Sequence, residues 1–225
     1  MTHVSLPKIP PYPLPTRAEL PRARVGWRPD PSRAALLVHD AQRYFLAPYA
    51  GDPIPAVLRN AAALAAAARL AGVPVLYTAQ PGRQAPGDRG LLTDMWGPGI
   101  GAVVDADPGA ADIVDALAPA PGDAVLPKWR YSAFQRSDLA ERLAAAGRDQ
   151  LLVTGVYAHI GIQATAVEAF MRDVQPFLVA DAIADFSRER HDETLAYVAR
   201  TCGGVVVAAD ALAALSAPAV AEAGA

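Results

Sequence analysis

Six short, continuous apolar segments constrain the fold of this chain more than any other feature of its sequence. An apolar run of this kind is typical of a parallel strand that is covered on both faces. Amphipathic stretches with helical spacing lie between the segments, and the alternation predicts a single three-layer α/β/α domain with a parallel sheet and right-handed crossovers. The predicted strands cover residues 34–39, 74–78, 124–127, 150–154, 176–180 and 205–208. The predicted helices cover residues 55–70, 110–117, 137–146, 161–173 and 188–200.

The amino-terminal part of the chain is rich in proline, with seven prolines among the first thirty residues. Each proline removes a backbone donor and fixes φ, so neither a helix nor a central strand is expected there. Ile9 and Tyr12 give this part apolar side chains with which to pack. We therefore predict an extended Pro-rich arm at 1–33 that packs on the domain, the α/β domain itself at 34–217, and a flexible tail at 218–225.

Charge and cysteine content exclude several classes of function. The formal net charge is −3, from 20 Lys and Arg against 23 Asp and Glu, so no global positive field draws nucleic acid or an anionic membrane. The one cysteine, Cys202, excludes an intramolecular disulfide framework. Because the four histidines are also scattered, we predict neither a metal site nor a cofactor. No apolar run reaches the ~20 residues of a membrane span and no secretory signal begins the chain, which predicts a soluble, cytoplasmic protein.

The residues that follow the predicted strands indicate one site. Asp40 follows the first strand, Gln80 the second, Lys128 the third, and a glycine-bounded turn at 155–161 follows the fourth. The carboxyl ends of parallel strands share one edge of the sheet, where open α/β sheets bind their ligands. Each signal is weak alone, since an aspartate there is often a turn former or helix cap and a lysine a solvated charge. Together they predict a ligand site.

Six segments along the chain resemble the isochorismatases of the cysteine-hydrolase-like superfamily. They are VHDAQRYFL, YTAQPG, RGLLTDMWGPG, PKWRYSAF, GVYAHIG and FLVADAIADFSRERH, and the match covers residues 9–209. The resemblance implies a Rossmann-like sheet and a triad of Asp, Lys and a nucleophilic Cys. Asp40 and Lys128 match the first two members, whereas the third falls at Gly161. The residues of these segments look closest to those of the stand-alone phenazine-pathway type, which acts on 2-amino-2-deoxyisochorismate.

The glycine at the nucleophile position decides which chemistry the resemblance implies. Without a thiol no acyl-enzyme forms, so amide hydrolysis of the nicotinamidase type is disfavoured. Cys202 is expected to be a small buried hydrophobe. Isochorismatases cleave a vinyl ether, which begins with protonation of a methylene carbon. By the resemblance, Asp40 is the catalytic acid, Lys128 holds it and stabilises its conjugate base, and Gly161 leaves room for the substrate.

The resemblance also implies how a small dianionic, chorismate-derived substrate is held. Arg89 would bind one carboxylate through its planar fork of donors. Gln80 and the backbone amides of residues 157–161 would address the enolpyruvyl end. Aromatic walls would surround the ring, with plain core packing as the alternative for these side chains. The aromatic residues concerned are Phe45, Trp96, Tyr131 and Tyr157.

Other polar residues near these segments are expected to be structural. If Asp40 faces the site, His39 should face away from it, because side chains alternate along a strand. His159, in the turn, is expected to be a hydrogen-bonding residue rather than a base. The resemblance further implies a cis peptide between Val156 and Tyr157. The residues expected to cap the helix after the fifth strand are Asp181, Asp185, His191 and, as the N-cap, Ser187.

Three alternatives stay open at the level of sequence. The substrate is the amino compound of the phenazine type or isochorismate itself, as in the siderophore type. Siderophore members often carry a carrier domain, for which the roughly fifteen residues after Asp210 leave no space. A catalytically silent binding or scaffold module that has lost its thiol is the alternative to an enzyme. Self-association is common in the family, so a homodimer or higher homo-oligomer is expected.

Overall fold

A six-stranded sheet lies at the centre of the computed structural model, which describes residues 6–216. Every neighbouring pair of strands is parallel, in the order β3-β2-β1-β4-β5-β6. The sheet and its flanking helices confirm the predicted α/β fold, while the predicted tail at 218–225 lies outside the described residues. The strands are β1 (Ala34–His39), β2 (Val75–Ala79), β3 (Ala124–Pro127), β4 (Gln150–Val156), β5 (Gln175–Ala184) and β6 (Gly204–Val206).

Helices cover both faces of the sheet. Alternate residues of β1 point to opposite faces, with Leu37 in one apolar core and Leu36 in the other. The first core includes side chains of α5 (Leu139–Ala145), α6 (Gln163–Met171) and α7 (Arg188–Thr201). The second includes side chains of α2 (Ile54–Leu70) and α8 (Ala208–Leu215). Within residues 6–216, no helix is long and apolar enough to cross a membrane. The helices are α1 (Arg43–Leu46), α2 (Ile54–Leu70), α3 (Pro86–Arg89), α4 (Leu92–Trp96), α5 (Leu139–Ala145), α6 (Gln163–Met171), α7 (Arg188–Thr201) and α8 (Ala208–Leu215).

One predicted helix is wrong, and the bounds of the last predicted strand are shifted. The helix predicted at 110–117 is absent, and two 3₁₀ turns, Pro108–Ala111 and Asp115–Leu117, lie there instead. The residues between the turns form backbone hydrogen bonds with the loop after β1, including one from the Val114 amide to the carbonyl of Ala41. These bonds prevent the segment from forming a helix. The last predicted strand, 205–208, is present as β6, but it begins one residue earlier and ends at Val206. Ala208 already begins α8, which the sequence patterns did not predict.

The segment from residue 6 to residue 33 lies along the domain and contains one short 3₁₀ helix, Arg17–Glu19. Ile9 and Tyr12 are buried. The Ile9 amide donates to the carbonyl of Pro48 at 2.9 Å, and the Tyr12 hydroxyl accepts from the Asp185 amide at 2.7 Å. This segment is therefore held by backbone and side-chain contacts with several parts of the domain.

The direction of strand order reverses between β1 and β4, where open α/β sheets form their ligand crevice. Here Gly155 of β4 stands opposite His39 of β1. Gly155 has a φ of 105°, and a Cβ on it would overlap the His39 carbonyl oxygen and lie 2.8 Å from its backbone nitrogen. Only glycine lets the two central strands approach this closely.

Replacing Gly155 with Ala should therefore disrupt the centre of the sheet. We expect a loss of at least about 3 kcal/mol in unfolding free energy, because both backbones are fixed by neighbouring strands. Gly147→Ala is the matched control, since Gly147 has a φ of 63° but open space around its Cβ position, and its left-handed backbone alone costs about 1 to 2 kcal/mol. Urea unfolding measures both losses, and equal losses would contradict the close approach.

Candidate active site

A cleft opens at the carboxyl ends of the central strands, and the roughly 540 Å³ of empty space in it includes the open solvent at its mouth. All nine side chains or glycines expected at the site line it, so the structure brings together every predicted position. Those residues are Asp40, Phe45, Gln80, Arg89, Trp96, Lys128, Tyr131, Tyr157 and Gly161. The sequence patterns did not single out five further lining residues, namely Leu6, Tyr44, Leu92, Gly99 and Ile160.

A buried ion pair forms the floor of the cleft. Asp40 directly follows β1, and its Oδ2 lies 2.9 Å from Nζ of Lys128, which follows β3. The strand between them contributes Thr78, whose hydroxyl donates to Asp40 Oδ1 at 2.6 Å and accepts from the Asp40 amide at 3.1 Å. Asp40 and Lys128 are only 5% and 3% exposed. Sequence reasoning missed Thr78, although a hydroxyl residue at a strand end beside Asp40 was a usable signal.

This environment keeps Asp40 ionised. Burial by itself raises the pKa of the Asp40 carboxyl, but the charge of Lys128 and the hydrogen bonds from Thr78 and Lys128 outweigh burial and lower it below its usual range. At neutral pH the free protein therefore holds an Asp40 carboxylate beside Lys128. A proton on Asp40 needs a further negative charge in the cleft.

The backbone of Gln80 is held by a second glutamine. The buried Gln42 side chain accepts from the Gln80 amide at 2.7 Å and donates to the Gln80 carbonyl at 2.9 Å. It also donates to the carbonyl of Ala111 at 2.7 Å. Gln42 thereby ties the loop after β2 to the loop after β1, which places the Gln80 side chain on the cleft wall.

The position of His39 differs from the expectation. Strand alternation predicted that His39 would not line the cleft, and it does not. Its ring nevertheless lies beside the carboxylate, with Nδ1 3.6 Å from Asp40 Oδ2. Nδ1 also lies 2.8 Å from the carbonyl oxygen of Val156. Burial and the charge of Lys128 lower the pKa of His39 to about 4, so the ring is neutral at neutral pH.

The expected role of Gly161 needs a correction. The glycine lines the cleft, but the space where its side chain would start is filled by protein and not free for substrate. A Cβ at this position would overlap Cε1 of His39, lie 2.9 Å from Nε2 of the same ring, and lie 3.1 Å from the Tyr131 carbonyl oxygen. The thiol of Cys202 is buried at the end of α7, away from the cleft-lining residues, and burial raises its pKa.

Arg89 is a buried cation without an ion-pair partner among residues 6–216. Its Nε donates to the Gly97 carbonyl at 2.6 Å and its Nη1 to Gln84 Oε1 at 3.3 Å. Burial lowers the pKa of the guanidinium from its ordinary high value, and the group stays charged at neutral pH. Gly99, with a φ of 57°, makes room for it, since a Cβ there would lie 2.5 Å from Arg89 Nη2. The cleft therefore offers an anion a desolvated guanidinium.

The aromatic walls are linked by hydrogen bonds and edge contacts. The Tyr157 hydroxyl donates to the carbonyl of Phe45 at 2.5 Å, and the two rings meet edge to face. Trp96 donates through Nε1 to the Tyr131 hydroxyl at 2.7 Å. Burial raises the pKa of Tyr157 well above its usual value, so its hydroxyl remains a neutral donor. The walls are mainly apolar and fixed in position.

A π-helical turn, Ala158–Ile162, carries Gly161 and is anchored from behind. Asp185 Oδ2 accepts from the His159 amide at 2.6 Å, and Asp185 Oδ1 lies 2.5 Å from His159 Nδ1. His159 is therefore a hydrogen-bonding residue of the turn, and it does not line the cleft. The peptide between Val156 and Tyr157 is cis, as the resemblance implied.

The expected helix caps are partly wrong. Ser187 is the N-cap of α7 and accepts from the Arg190 amide. Asp185 instead holds the turn, and Asp181 accepts from the Ala208 amide at the start of α8. His191 lies inside α7 with Nδ1 3.3 Å from the Tyr12 hydroxyl. The carboxylates of a loop can reach elements that are distant in sequence, and spacing alone does not reveal which.

Comparison with known proteins assigns the family. The model of the isochorismatase domain matches residues 34–211, and the chain belongs to the isochorismatase family. It is 53% identical to the phenazine biosynthesis protein PhzD of Pseudomonas fluorescens over 89% of this chain and 95% of that protein. It is 48% identical to enterobactin synthase component B of Escherichia coli K12 over 93% of this chain and 73% of that protein.

Another curated relative and one solved structure agree with this assignment, and a second solved structure shares the fold. The isochorismatase of Bacillus subtilis is 47% identical over 91% of this chain and 65% of its own length. An isochorismatase family protein from Burkholderia thailandensis matches with a TM-score of 0.72 and 27% identity, covering 84% of this chain and 98% of that one. A cysteine hydrolase from Pseudomonas syringae shares the fold, with a TM-score of 0.73 and 24% identity over 87% and 97% of the two chains.

Replacing Asp40 with Asn should destabilise the protein in a pH-dependent way. Because the folded pKa of Asp40 is lowered, its charge stabilises the fold above the unfolded value of about 3.9, and that contribution is lost as the pH falls through the folded pKa. We expect wild type and Asp40→Asn to differ by about 3 kcal/mol at neutral pH, since Lys128 loses its buried partner. Urea unfolding should show this gap narrowing below about pH 4.

The exposed Asp115, which pairs with Arg43, provides the control for this series. Asp115→Asn should change the unfolding free energy by less than about 1 kcal/mol at any pH, as exposed pairs contribute little. A gap for Asp40→Asn that is independent of pH would contradict a lowered pKa.

Proposed function

We propose that this protein hydrolyses the enolpyruvyl vinyl ether of 2-amino-2-deoxyisochorismate or isochorismate, releasing pyruvate and a dihydro-hydroxy(amino)benzoate. The observation that carries the proposal is the buried Asp40–Lys128 pair at the floor of a cleft whose nucleophile position is Gly161. A site with a placed carboxyl group and no thiol suits proton transfer to carbon and does not suit an acyl-enzyme. The names of the relatives, among them an isochorismatase, support this choice.

The reaction begins at Asp40. Its carboxylic proton passes to the methylene carbon, using the π electrons of the vinyl ether, and leaves an oxocarbenium ion on the ether carbon. Water adds to that carbon, and the proton it releases restores the acid. The resulting hemiketal loses its hydroxyl proton as the bond between carbon and ring oxygen breaks, and the ring oxygen takes up a proton, which gives pyruvate and the ring alcohol. Lys128 stabilises the Asp40 carboxylate that exists between the two proton transfers.

Binding of the substrate causes Asp40 to take up the proton that the reaction needs. In the free protein Lys128 keeps Asp40 ionised. A dianion that enters the cleft places negative charge near this carboxylate and displaces water, and both effects raise the pKa of Asp40. Proton uptake is thus coupled to substrate binding, and Asp40 is protonated only when there is a carbon to protonate.

Arg89 is the side chain that we propose for one substrate carboxylate. It is buried and has no carboxylate partner in the described part of the chain, so an incoming anion gains a charge-assisted bond without displacing one. Gln80 and the amides of residues 157–161 are the groups proposed for the enolpyruvyl end, and the aromatic walls for the ring. This arrangement requires neither a metal nor a cofactor for the steps described.

The amino compound is our preferred substrate. The relative from phenazine biosynthesis is 53% identical, against 48% and 47% for the enterobactin component and the Bacillus isochorismatase. The siderophore-type substrate, isochorismate, is the alternative, and kcat/KM for the two compounds decides between them. A cytoplasmic location and a homo-oligomeric state remain predictions from the sequence.

Pyruvate release from both substrates tests the function directly. We expect wild type to release pyruvate and Asp40→Asn to lose at least about 1000-fold in kcat, because the proton donor is removed. For wild type, kcat/KM should rise as the pH falls from neutral, since more of the free enzyme then carries the Asp40 proton. A silent binding module would release no pyruvate at high protein concentration, and a pH-independent rate would contradict the loading of Asp40.

Gly99→Ala tests the role of Arg89 without changing the cation. The new Cβ overlaps the guanidinium, so we expect KM to rise about 10-fold or more while kcat changes less. Gly72→Ala is the matched control, because Gly72 also has a positive φ of 67° but no atom near its Cβ position. An unchanged KM for Gly99→Ala would contradict the proposed role of Arg89 in substrate binding.

A further inference from the structure

The ring of His39 lies between the Asp40 carboxylate and the end of β4. The residue is fully buried and Nδ1 lies 2.8 Å from the Val156 carbonyl oxygen. A carbonyl oxygen only accepts, so Nδ1 carries the proton and donates this bond. The same nitrogen is 3.6 Å from Asp40 Oδ2, too far for a second hydrogen bond but close enough for the ring to pack beside the carboxylate.

The slot that holds this ring is closed on its other side by Gly161. A Cβ at position 161 would overlap Cε1 and lie 2.9 Å from Nε2 of His39. The glycine cannot retreat, because its carbonyl accepts from the buried Thr165 hydroxyl at 2.7 Å, and that hydroxyl also accepts from the Ala133 amide at 3.0 Å. The backbone of His39 is equally fixed, since β1 pairs with a strand on either side.

We propose that His39 is a positioning and specificity-determining residue: its ring occupies the volume that a nucleophilic side chain at position 161 would need, and its bond to Val156 holds the turn against Asp40. Gly161 is then required by the histidine. A side chain at 161 must displace the ring, break the bond to Val156 and move the wall of the cleft beside the acid.

This inference rests on the proposed function and adds a residue to it. The imidazole does not line the cleft, so it affects the reaction through Asp40 and the Ala158–Ile162 turn and does not touch substrate. Such a role changes the rate of the chemical step more than substrate binding. A residue that only stabilised the fold would change the amount of active enzyme and leave its kcat unaltered.

Four proteins test the shared slot: wild type, Gly161→Ala, His39→Asn and the double variant. Asparagine places its amide nitrogen near the position of Nδ1, so the donor to Val156 is kept while the atoms that face Gly161 are removed. We expect Gly161→Ala to lower kcat by about 100-fold. Adding His39→Asn should recover about 10-fold of that loss, because the two substitutions relieve each other. His39→Asn combined with the distant Gly147→Ala should be additive.

A second comparison covers the case in which Gly161→Ala does not fold. His39→Leu has a side chain in the slot but no donor for the Val156 carbonyl. Its kcat should therefore fall about 10-fold below that of His39→Asn, with KM unchanged for both. Equal kcat values for the two variants, or a folded His39→Leu protein with wild-type kcat, would overturn the positioning role. Additive losses in the double variant would overturn the shared slot.

Failure of the inference is distinguishable from failure of the proposed function. If wild type releases no pyruvate, the proposed function is wrong, whereas additive variants of an active wild type refute only the role of His39. Melting temperatures give a readout of the slot that needs no substrate. A double variant that melts above Gly161→Ala supports mutual exclusion of the two side chains, and one that melts at or below it contradicts that exclusion.

Discussion

The site depends on one buried ion pair, Asp40 with Lys128, which joins the ends of two strands across a third. Desolvating two charges is costly unless geometry and further hydrogen bonds compensate, and Thr78 on the intervening strand supplies one of those bonds. The three strand ends must therefore stay in register for either charge to remain buried. The same pair creates the chemical problem of the site. Lys128 holds Asp40 in place, but it also lowers the pKa of Asp40 and so disfavours the protonated form that the reaction needs.

Much of the fold follows from pattern, because a parallel strand that is covered on both faces is a nearly continuous apolar run. All six predicted strands begin within one residue of the observed start, because a continuous apolar run marks each of them. The pattern failed where long-range pairing decides. Residues 110–117 contain enough alanine for a helix, yet backbone bonds to the loop after β1 hold their middle extended. No local propensity contains that information.

The site divides in the same way. Asp40, Gln80 and Lys128 could be placed together from their positions after strands, because topology alone brings strand ends to one edge. The positions of Arg89 and the aromatic walls came from resemblance, since loops carry no periodicity from which to derive them. The environment of His39 could not be predicted, because alternation along a strand gives the face of a side chain but not which distant glycine packs against its ring.

The contact between His39 and Gly161 also constrains how such a chain can change over time. A cysteine at position 161 would supply the nucleophile of a thiol hydrolase. Its Cβ, however, has no space while the imidazole of His39 is in place. The histidine has to become smaller before the glycine can grow. The order of substitutions is thereby fixed, and a single exchange at the nucleophile position leads to a damaged protein and not to the neighbouring chemistry.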